Sequence, residues 1–204
     1  MAKSNNEKQC WKPGNVLAPV PVVLVSCGHA PEWRPNIITI AWIGTVCTDP
    51  PMLSISLRRE RHSYEIIQAT GEFVVNIPTH KQAKITDWCG MVSGSTIDKF
   101  AESGLTQGAS GTVKCPIIQE CVINIECQVR HTMPLGSHTM FVAEVVGVQV
   151  SSQFIDATGK LRLDQVGLLA YGLGNYFSLG PVIDHFGFSI RKKNTRRRVL
   201  QSLR

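Results

Sequence analysis

Residues 36–63, NIITIAWIGTVCTDPPMLSISLRRERHS, contain the pattern that decides the fold. The apolar, β-branched run at 37–43 and the alternating run at 52–57 each predict a β-strand. The two prolines at 50–51 cannot donate backbone hydrogen bonds and they restrict φ, so the chain must turn between the runs. We therefore expect two strands joined by a stiff corner, with the hydroxyl of Thr39 interrupting the apolar first strand.

The same stretch ends in a basic cluster that leads into a helical pattern. Arg61, His62 and Ser63 come directly before a short amphipathic run, which we expect to close at Gly71. Ser63 is a candidate N-cap, and the free N–H groups at a helix N-terminus bind anions. Guanidinium groups add charge-assisted hydrogen bonds to a phosphate. The residues themselves thus predict a phosphate site at this corner.

Strand patterns dominate the rest of the chain. They lie at residues 20–26, 73–77, 121–130 and 139–150, and make about six strands with the two named above. Helices are expected as inserts, one opening at the capping-box pattern 79–82 and running to residue 89, the other over 97–103 and closed by Gly104. Turns separate the strands in place of regularly alternating helices, so the sequence predicts a mainly β, antiparallel barrel or sandwich.

Length and composition favour one domain. The chain has 204 residues, of which 43% are hydrophobic and 18% charged, enough for one sizeable core. We expect an N-terminal extension over 1–14, a single domain over 15–192 and a basic tail over 193–204. The first 14 residues have no apolar signal-peptide core, and no run is long enough to cross a bilayer. The sequence therefore predicts a cytoplasmic protein without a membrane partner.

The seven cysteines predict neither a disulfide framework nor a metal site. Their number is odd and their spacing includes no C-x-x-C pair, so reduced thiols packed as small hydrophobes are the best interpretation. Cys47 alone lies in the stretch 36–63, and a role for its thiol stays open. The signatures of P-loop, dinucleotide-binding, zinc-peptidase and esterase sites are all missing. A less general kind of site must carry the function.

The net charge of +6 is a property of the C-terminus. Residues 191–204 contain seven Lys or Arg and no acid, which leaves 14 basic against 15 acidic residues in the remainder. The run RKKNTRRR could contact nucleic acid or an acidic partner, but no aromatic residues lie between the charges to stack on bases. A solvated extension is the favoured interpretation, and nucleic acid is not the expected partner.

The order of short motifs resembles a known family. These motifs are N-x-x-T-x-x-W-x-G-x-x-C-x-D-P-P-M-x-x-x-S-x-R-x-x-R-x-S-Y at 36–64, FVVN at 73–76, SG at 93–94, DKF at 98–100, NIEC at 124–127, LGSH at 135–138 and AY at 170–171. As a set, running from about residue 20 to residue 192, they resemble the flavin reductase-like family, in particular its flavoredoxin-type members. The resemblance implies an FMN-binding split β-barrel with an antiparallel Greek-key sheet. It also implies a homodimer with the flavin near the subunit interface.

By position, the resemblance implies a set of cofactor-binding residues. They are Asn36, Thr39 and Trp42 along the ring and ribityl chain, Thr45, Val46, Cys47 and Thr48 at the polar edge of the ring, Arg61, His62 and Ser63 at the phosphate, Met91, Ser93, Gly94 and Lys99 on a second rim, and His138, Tyr171 and Tyr176 near the flavin. Three have structural alternatives: Trp42 as a core aromatic, Lys99 as an exposed helix charge, and His138 as a hydrogen-bonding residue at the start of a strand. The pair at 173–174 is Leu-Gly where relatives often have His-Gly, so a polar role is in doubt there.

The resemblance implies an oxidoreductase without a catalytic side chain, because FMN itself accepts and donates the electrons. The donor would be NAD(P)H or a redox protein, and the acceptor a flavin or a protein. Reductase and electron carrier stay open as alternatives. A different class of function is a non-catalytic split-barrel module, which would bind another phosphate ligand at Arg61 or nucleic acid through the tail.

Overall fold

The computed structural model describes residues 7–190, and its regular elements are mainly strands. The strands are β1 (Val20–Pro21), β2 (Val23–Cys27), β3 (Asn36–Ile40), β4 (Ile43–Cys47), β5 (Met52–Arg58), β6 (Glu72–Ile77), β7 (Gln107–Gly108), β8 (Ile117–Ile118), β9 (Ile123–Leu135), β10 (His138–Val150), β11 (Leu169–Gly172) and β12 (Asn175–Ser178). The helices are α1 (His62–Thr70), α2 (Ala83–Met91), α3 (Lys99–Ser103) and α4 (Leu163–Val166), with 3₁₀ turns at His80–Gln82, Ser152–Phe154 and Phe188–Ile190. The basic tail and the start of the N-terminal extension lie outside the described residues.

Seven strands form one antiparallel sheet in the order β3-β2-β6-β9-β10-β5-β4. The two ends of this order lie close together, because only residues 41–42 separate the end of β3 from the start of β4. The sheet therefore curls around its inner face, as the predicted antiparallel barrel requires.

The interior of the curled sheet is one apolar cluster. Its buried members come from six of the seven strands and from α1: Val23, Val25, Cys27, Ile38, Ile40, Leu53, Ile55, Leu57, Ile66, Ile67, Phe73, Val75, Cys127, Phe141 and Ala143. Within each strand these positions alternate, because successive side chains point to opposite faces of a sheet. Burying each large member stabilises the fold by about 1.5–3 kcal/mol.

Helices α2 and α3 cover the outer face of β2 and β3. Leu24 and Ile37 point outward from these strands and pack against Cys89 of α2 and Phe100 of α3. The sequence predicted both inserts closely. The first opens with a hydrogen bond of 2.8 Å from the Thr79 N–H to the Gln82 side chain, and the second begins two residues later than expected and ends at Gly104 in the left-handed region.

The predicted strand at 37–43 is wrong in one respect. The chain forms β3, leaves the sheet at residues 41–42, and begins β4 at the opposite end of the strand order. The proline corner therefore joins β4 to β5 as an antiparallel hairpin. The count of about six strands was also low, since short strands such as β1, β11 and β12 form a separate three-stranded sheet.

Two buried polar side chains tie loops to the barrel. Asn76 on β6 accepts hydrogen bonds from the Ile118 N–H at 2.9 Å and from the side chain of Asn124 at 2.7 Å. Glu126 on β9 accepts from three consecutive backbone N–H groups, those of residues 111, 112 and 113, at 2.8, 2.6 and 3.1 Å. Because the buried side chains of Asn76 and Glu126 find their hydrogen-bond partners within the protein, they hold each loop in one position against the sheet.

No helix among residues 7–190 is long and apolar enough to cross a membrane.

Candidate functional site

A cavity of about 490 Å³, here called the wide cavity, opens between the barrel, α2 and the three-stranded sheet. Its lining residues are Asn15, Val22, Ile38, Thr39, Ile40, Ala41, Trp42, Ser56, Leu57, Arg58, Arg61, Asp87, Gly90, Met91, His138, Tyr171, Gly174 and Tyr176. Its volume falls in the range of about 300–1,000 Å³ that is typical of small-molecule sites.

A second cavity of about 200 Å³, here called the narrow cavity, adjoins it. The lining is Asn36, Ile38, Arg58, Glu60, Arg61, His62, Ser63, Cys89, Gly90, Val92, Ser93, Gly94 and Lys99. Four residues line both cavities, namely Ile38, Arg58, Arg61 and Gly90. The two cavities are thus parts of one cleft, with a cationic and polar compartment at one end.

The polar wall of the narrow cavity is held by a bond between Asn36 and Ser63. The Asn36 amide nitrogen donates to the Ser63 hydroxyl at 2.8 Å, and both side chains are buried. The amide oxygen of Asn36 is also buried, yet it has no hydrogen-bond partner. An unpaired buried oxygen costs free energy, about 1–3 kcal/mol, and a hydroxyl or amide donor on a ligand would remove that cost.

Lys99 supplies a positive charge from inside the protein. Its ammonium nitrogen donates to the carbonyl oxygens of Ile37 at 2.7 Å and Cys89 at 2.6 Å, and the side chain is only 3% exposed. Burial lowers the pKa of Lys99 from 10.5 to about 8, and nearby Arg61 acts in the same direction. The alternative interpretation of Lys99 as an exposed helix charge is therefore wrong.

The N-terminus of α1 lies at the narrow cavity, although Ser63 does not cap it. The N-cap residue is Arg61, and no side chain makes a capping hydrogen bond there. Ser63 lies inside the first turn, where its hydroxyl accepts from Asn36. Gly71 ends the helix in the left-handed conformation, with φ of 69°, as predicted. The prediction of an N-cap at Ser63 was wrong, because the helix already begins at His62 and the Ser63 hydroxyl accepts from Asn36, which is distant in the chain.

Two glycines allow close approach at the cleft. A Cβ on Gly94 would collide with the side-chain amide of Asn36, and a Cβ on Gly90 would lie 3.1 Å from the Cβ of Thr39. The Thr39 hydroxyl donates to the carbonyl of Thr86, so it fastens α2 to β3. Without side chains at positions 90 and 94, the helix and its following loop can lie directly against β3.

One side of the wide cavity is aromatic. Trp42 and Tyr171 are in edge-to-face contact with centroids 6.4 Å apart, and Tyr171 contacts Tyr176 in the same way at 5.7 Å. The Tyr176 hydroxyl donates to Asp87 at 3.0 Å. Burial, together with this carboxylate, raises the pKa of Tyr176 to about 12, so the phenol keeps its proton at neutral pH.

Basic side chains also line the same cavity. Arg58 and His138 are directly paired across β5 and β10, and Arg61 follows three positions after Arg58. The hydroxyl of Ser137 lies 2.9 Å from Nδ1 of His138, which orients the ring. The lining of the wide cavity thus includes guanidinium and imidazole groups, a carboxylate and three aromatic rings.

Sequence comparisons identify the family of this chain. The family model for the flavin reductase like domain matches residues 17–180. The chain belongs to the flavin reductase-like family. An uncharacterized protein of Archaeoglobus fulgidus is 34% identical over 139 residues, which are 68% of this chain and 78% of that protein. The motif-based resemblance is therefore confirmed.

Two further matches are proteins whose names state a flavin-related function. The flavoredoxin of Desulfovibrio vulgaris (Miyazaki F) superposes with a TM-score of 0.79 at 28% identity, covering 92% of this chain and 98% of that one. An NADH-dependent FMN reductase of Streptomyces nodosus subsp. asukaensis is 28% identical, covering 63% of this chain and 68% of that protein. The predicted split β-barrel is confirmed, and the cofactor predicted from the sequence, FMN, is the one these comparisons indicate.

The structure brings together most residues that the resemblance to this flavin reductase-like family singled out. The wide cavity is lined by Thr39, Trp42, Arg61, Met91, His138, Tyr171 and Tyr176, and the narrow cavity by Asn36, Arg61, His62, Ser63, Ser93, Gly94 and Lys99. Thr45, Val46, Cys47 and Thr48 line neither cavity and form the end of β4 and the start of its turn. Their role at a flavin edge stays a prediction.

Arg58, Gly90 and Asp87 are among the lining residues that the site prediction missed. Arg58 stands in the family motif itself, so the motif could have identified it. Gly90 and Asp87 are one turn apart on α2, whose orientation toward the barrel was not evident from its sequence.

The thiols are packed as the sequence predicted. All seven cysteines are free, and five of them are buried. Burial raises the pKa of Cys27 to about 12 and that of Cys89, beside the narrow cavity, to about 11. Both thiols are therefore protonated at neutral pH. Among residues 7–190, no group of three His, Cys, Asp or Glu side chains could hold a metal ion.

Proposed function

We propose that this chain binds FMN in the cleft and transfers electrons through it. The observation that carries the proposal is the buried, unpaired amide oxygen of Asn36 on the wall of the narrow cavity. A ligand with hydroxyl donors and a terminal phosphate fits this setting, because FMN has a polyol chain between its ring and its phosphate. The oxygen would accept from a ribityl hydroxyl, and the ligand would run from the wide into the narrow cavity.

The narrow cavity supports binding of the phosphate. Arg61 and Lys99 bring positive charge, while the first turn of α1 and the loop at 93–94 present polar groups and backbone N–H groups. A phosphate held this way gains charge-assisted hydrogen bonds, which are about twice as strong as neutral ones. The wide cavity, with Trp42 and Tyr171 on one side, would take the flat ring.

FMN, when bound, supplies the ability to accept and donate electrons singly or in pairs. The protein's own residues then have three tasks, which are to hold the ring, to shape access to it and to set the charge around it. No side chain is needed as an acid, a base or a nucleophile. These three tasks agree with the expectation from the sequence that the protein has no catalytic side chain.

The electron donor that we propose is NAD(P)H, because the wide cavity is open to solvent beside the proposed ring position. One relative is named as an NADH-dependent FMN reductase, and another match is a flavoredoxin. A redox protein in place of NAD(P)H is the alternative. Mixing the FMN-loaded protein with NADH, NADPH or a reduced ferredoxin in a stopped-flow instrument, and following the visible flavin band, separates these donors.

We also infer that the functional unit is a homodimer. The three-stranded sheet and the segments before and after it expose large apolar side chains, among them Leu17, Leu173, Phe177, Ile183 and Phe186. A groove lined by Ala18, Pro19 and Phe177 runs over this sheet. Such an extended apolar surface marks an interface more often than a free face. Light scattering after size-exclusion chromatography measures the mass, and a monomer at micromolar concentration contradicts this inference.

Binding of FMN is tested by titration, with a glycine substitution at the cleft. Gly94→Ala places a Cβ against the Asn36 side chain, whereas Gly44→Ala places one in open space. We expect the wild type and Gly44→Ala to bind FMN with equal affinity, and Gly94→Ala to bind at least tenfold more weakly. Quenching of FMN fluorescence measures all three. A purified wild-type protein that neither carries nor binds FMN would overturn the proposal.

A further inference from the structure

Arg34, just before β3, ties the loop at 92–98 to the barrel, and this loop joins α2 to α3. The Arg34 guanidinium donates to the carbonyl of Gly94 at 2.5 Å and, through the same nitrogen, to that of Ile97 at 3.4 Å. Gly94 lines the narrow cavity, and Ile97 comes shortly before Lys99, which lines it as well. Arg34 itself lines neither cavity. One side chain outside the cleft thus holds the loop that brings residues into it.

The backbone of Arg34 is itself fixed. The N–H of Trp33 donates to the carbonyl of His29 at 3.0 Å, and the Trp33 side chain packs against the barrel core. Gly28 turns the chain with φ of 81°, and a Cβ there would lie 3.1 Å from the Arg34 carbonyl oxygen. The guanidinium therefore reaches the loop from a defined position.

The hydrogen bonds within the 92–98 loop are local. The Ser93 carbonyl accepts from the N–H groups of Thr96 at 3.3 Å and Ile97 at 3.1 Å, which closes a tight turn. Such bonds shape the turn but do not fix it against the sheet. Among residues 7–190, the hydrogen bonds that join this loop to a segment outside α2 and α3 come from Arg34. The position of the loop against β3 thus depends on Arg34 and on the close approach of Gly94 to β3.

We propose that Arg34 is a positioning residue for the phosphate of FMN. It holds the 92–98 loop against β3, so that Gly94 and the start of α3 keep the narrow cavity in the shape that the phosphate requires. The proposal rests on the proposed function, in which the phosphate occupies this cavity. Because Arg34 acts through the loop, its loss should weaken binding of the phosphate and leave binding of the flavin ring nearly unchanged.

The test compares FMN with riboflavin, which has the same ring and ribityl chain but no phosphate. Fluorescence titrations measure the affinity of the wild type, Arg34→Met, Arg34→Lys and Arg130→Met for each ligand, at about 50 mM and about 500 mM NaCl, since salt screens a free charge but not a fixed loop geometry. Methionine keeps most of the length of arginine without its donors, and lysine keeps the charge and one donor group. Arg130 is the control, because it pairs with Glu144 and lines neither cavity.

In Arg34→Met we expect the FMN affinity to fall about tenfold at both salt concentrations and the riboflavin affinity to change less than about twofold, in line with the loss of hydrogen bonds from a charged donor. Arg34→Lys should recover part of the FMN affinity, and Arg130→Met should match the wild type. Equal losses for the two ligands would show that Arg34 has a general structural role. A loss that disappears at high salt would show that it acts as a free charge, and either result overturns the proposal.

Hydrogen exchange tests the position of the loop without FMN. In ligand-free Arg34→Met, the N–H groups of Thr96 and Ile97 should exchange at least about fivefold faster than in the wild type, because the turn is no longer held against β3. Arg130→Met should exchange as the wild type does, and unchanged exchange in Arg34→Met overturns the proposal. A wild type that binds no FMN overturns the proposed function, whereas failure of the Arg34 proposal alone is seen with FMN binding to the wild type intact.

Discussion

The side-chain amide of Asn36 donates a 2.8 Å hydrogen bond to the hydroxyl of Ser63, 27 positions later in the chain. The bond joins the first residue of β3 to the first turn of α1. It brings together the two ends of the stretch 36–63 and builds the polar wall of the narrow cavity. It also leaves the Asn36 oxygen buried and without a hydrogen-bond partner.

Ser63→Ala removes the acceptor for the Asn36 amide nitrogen inside the protein. We expect the free energy of unfolding to fall by about 1–3 kcal/mol, the cost of an unsatisfied buried donor. FMN affinity should fall about tenfold, because the cavity wall loses a hydroxyl and its fixed geometry. Urea unfolding and FMN titration measure the two effects. Ser152→Ala, at an exposed position, is the control, and unchanged FMN binding in Ser63→Ala contradicts the role of this bond.

Lys99 predicts opposite effects of pH on stability and on ligand binding. Its pKa is about 8 in the folded protein and 10.5 when unperturbed, so between these values the unfolded chain binds more protons. The Lys99 contribution to the free energy of unfolding therefore rises as pH increases from about 8 to 10.5. FMN affinity should fall over the same rise, because the free protein loses the charge that attracts the phosphate.

Lys99→Met should remove both trends. Its FMN affinity should be at least tenfold weaker at pH 7 and nearly flat from pH 7 to 10. Lys84→Met, which changes an exposed lysine on α2, should keep the wild-type pH profile. Fluorescence titrations and urea unfolding at a series of pH values supply the measurements. A wild-type FMN affinity that stays constant through pH 8–10 would show that the Lys99 charge does not act on the ligand.

Asn76→Ala should be among the most destabilising single substitutions in the barrel. It removes the acceptor for the Ile118 N–H and the Asn124 amide, and the donor to the Leu24 carbonyl at 3.0 Å. We expect a loss of about 3 kcal/mol in the free energy of unfolding, because several buried polar groups lose their partners at once. Chemical denaturation measures it. The exposed Asn175→Ala serves as the comparison, and a loss below about 1 kcal/mol at Asn76 would contradict the expectation.

Glu126 predicts a loss of stability in acid. Burial alone would raise its pKa, but hydrogen bonds from the Gly111 N–H, the Gln149 side chain and the next two backbone N–H groups outweigh it, and the pKa is lowered below 4.5. The ionised carboxylate therefore contributes stability above pH 4.5, and this contribution disappears as pH falls through the lower, folded-state pKa.

Glu126→Gln should be less stable than the wild type by about 1.5–3 kcal/mol near neutral pH, and the difference should shrink as the pH falls below 4.5. Hydrogen exchange should accelerate at the N–H groups of residues 111–113, which lose their charged acceptor. Glu102→Gln, in an exposed position, should show neither effect. A stability difference that does not depend on pH would mean that packing, not charge, holds this loop.

Local sequence patterns predicted much of the fold and the basic cluster at residues 61–63. Alternating β-branched residues, the two prolines at 50–51 and glycines at 71 and 104 predicted strands, a corner and helix ends that the structure contains. These features act through neighbours in the chain, by backbone restriction and by the period of side chains along a strand. The cluster Arg61, His62 and Ser63 likewise lies at the narrow cavity, where the start of α1 positions it.

Other features have no local cause. Nothing at Ala41 and Trp42 marks the break between β3 and β4, because neither residue interrupts a strand as proline or glycine does. The break exists because β4 pairs with β5 at the other end of the strand order. In the sequence, Lys99 is consistent with a surface charge on a short helix. In the structure, its ammonium group donates to one carbonyl of β3 and one of α2.

The sequence by itself determined the antiparallel β class, the family, the proline corner and the basic end of the stretch 36–63. Only the tertiary structure decided that Ser63 bonds to Asn36 in place of capping its helix, and that Asp87 accepts from Tyr176 at the wall of the wide cavity. The reason is physical: chain geometry and side-chain period act over a few residues, whereas burial and hydrogen-bond partners depend on which distant segments the closed barrel brings together.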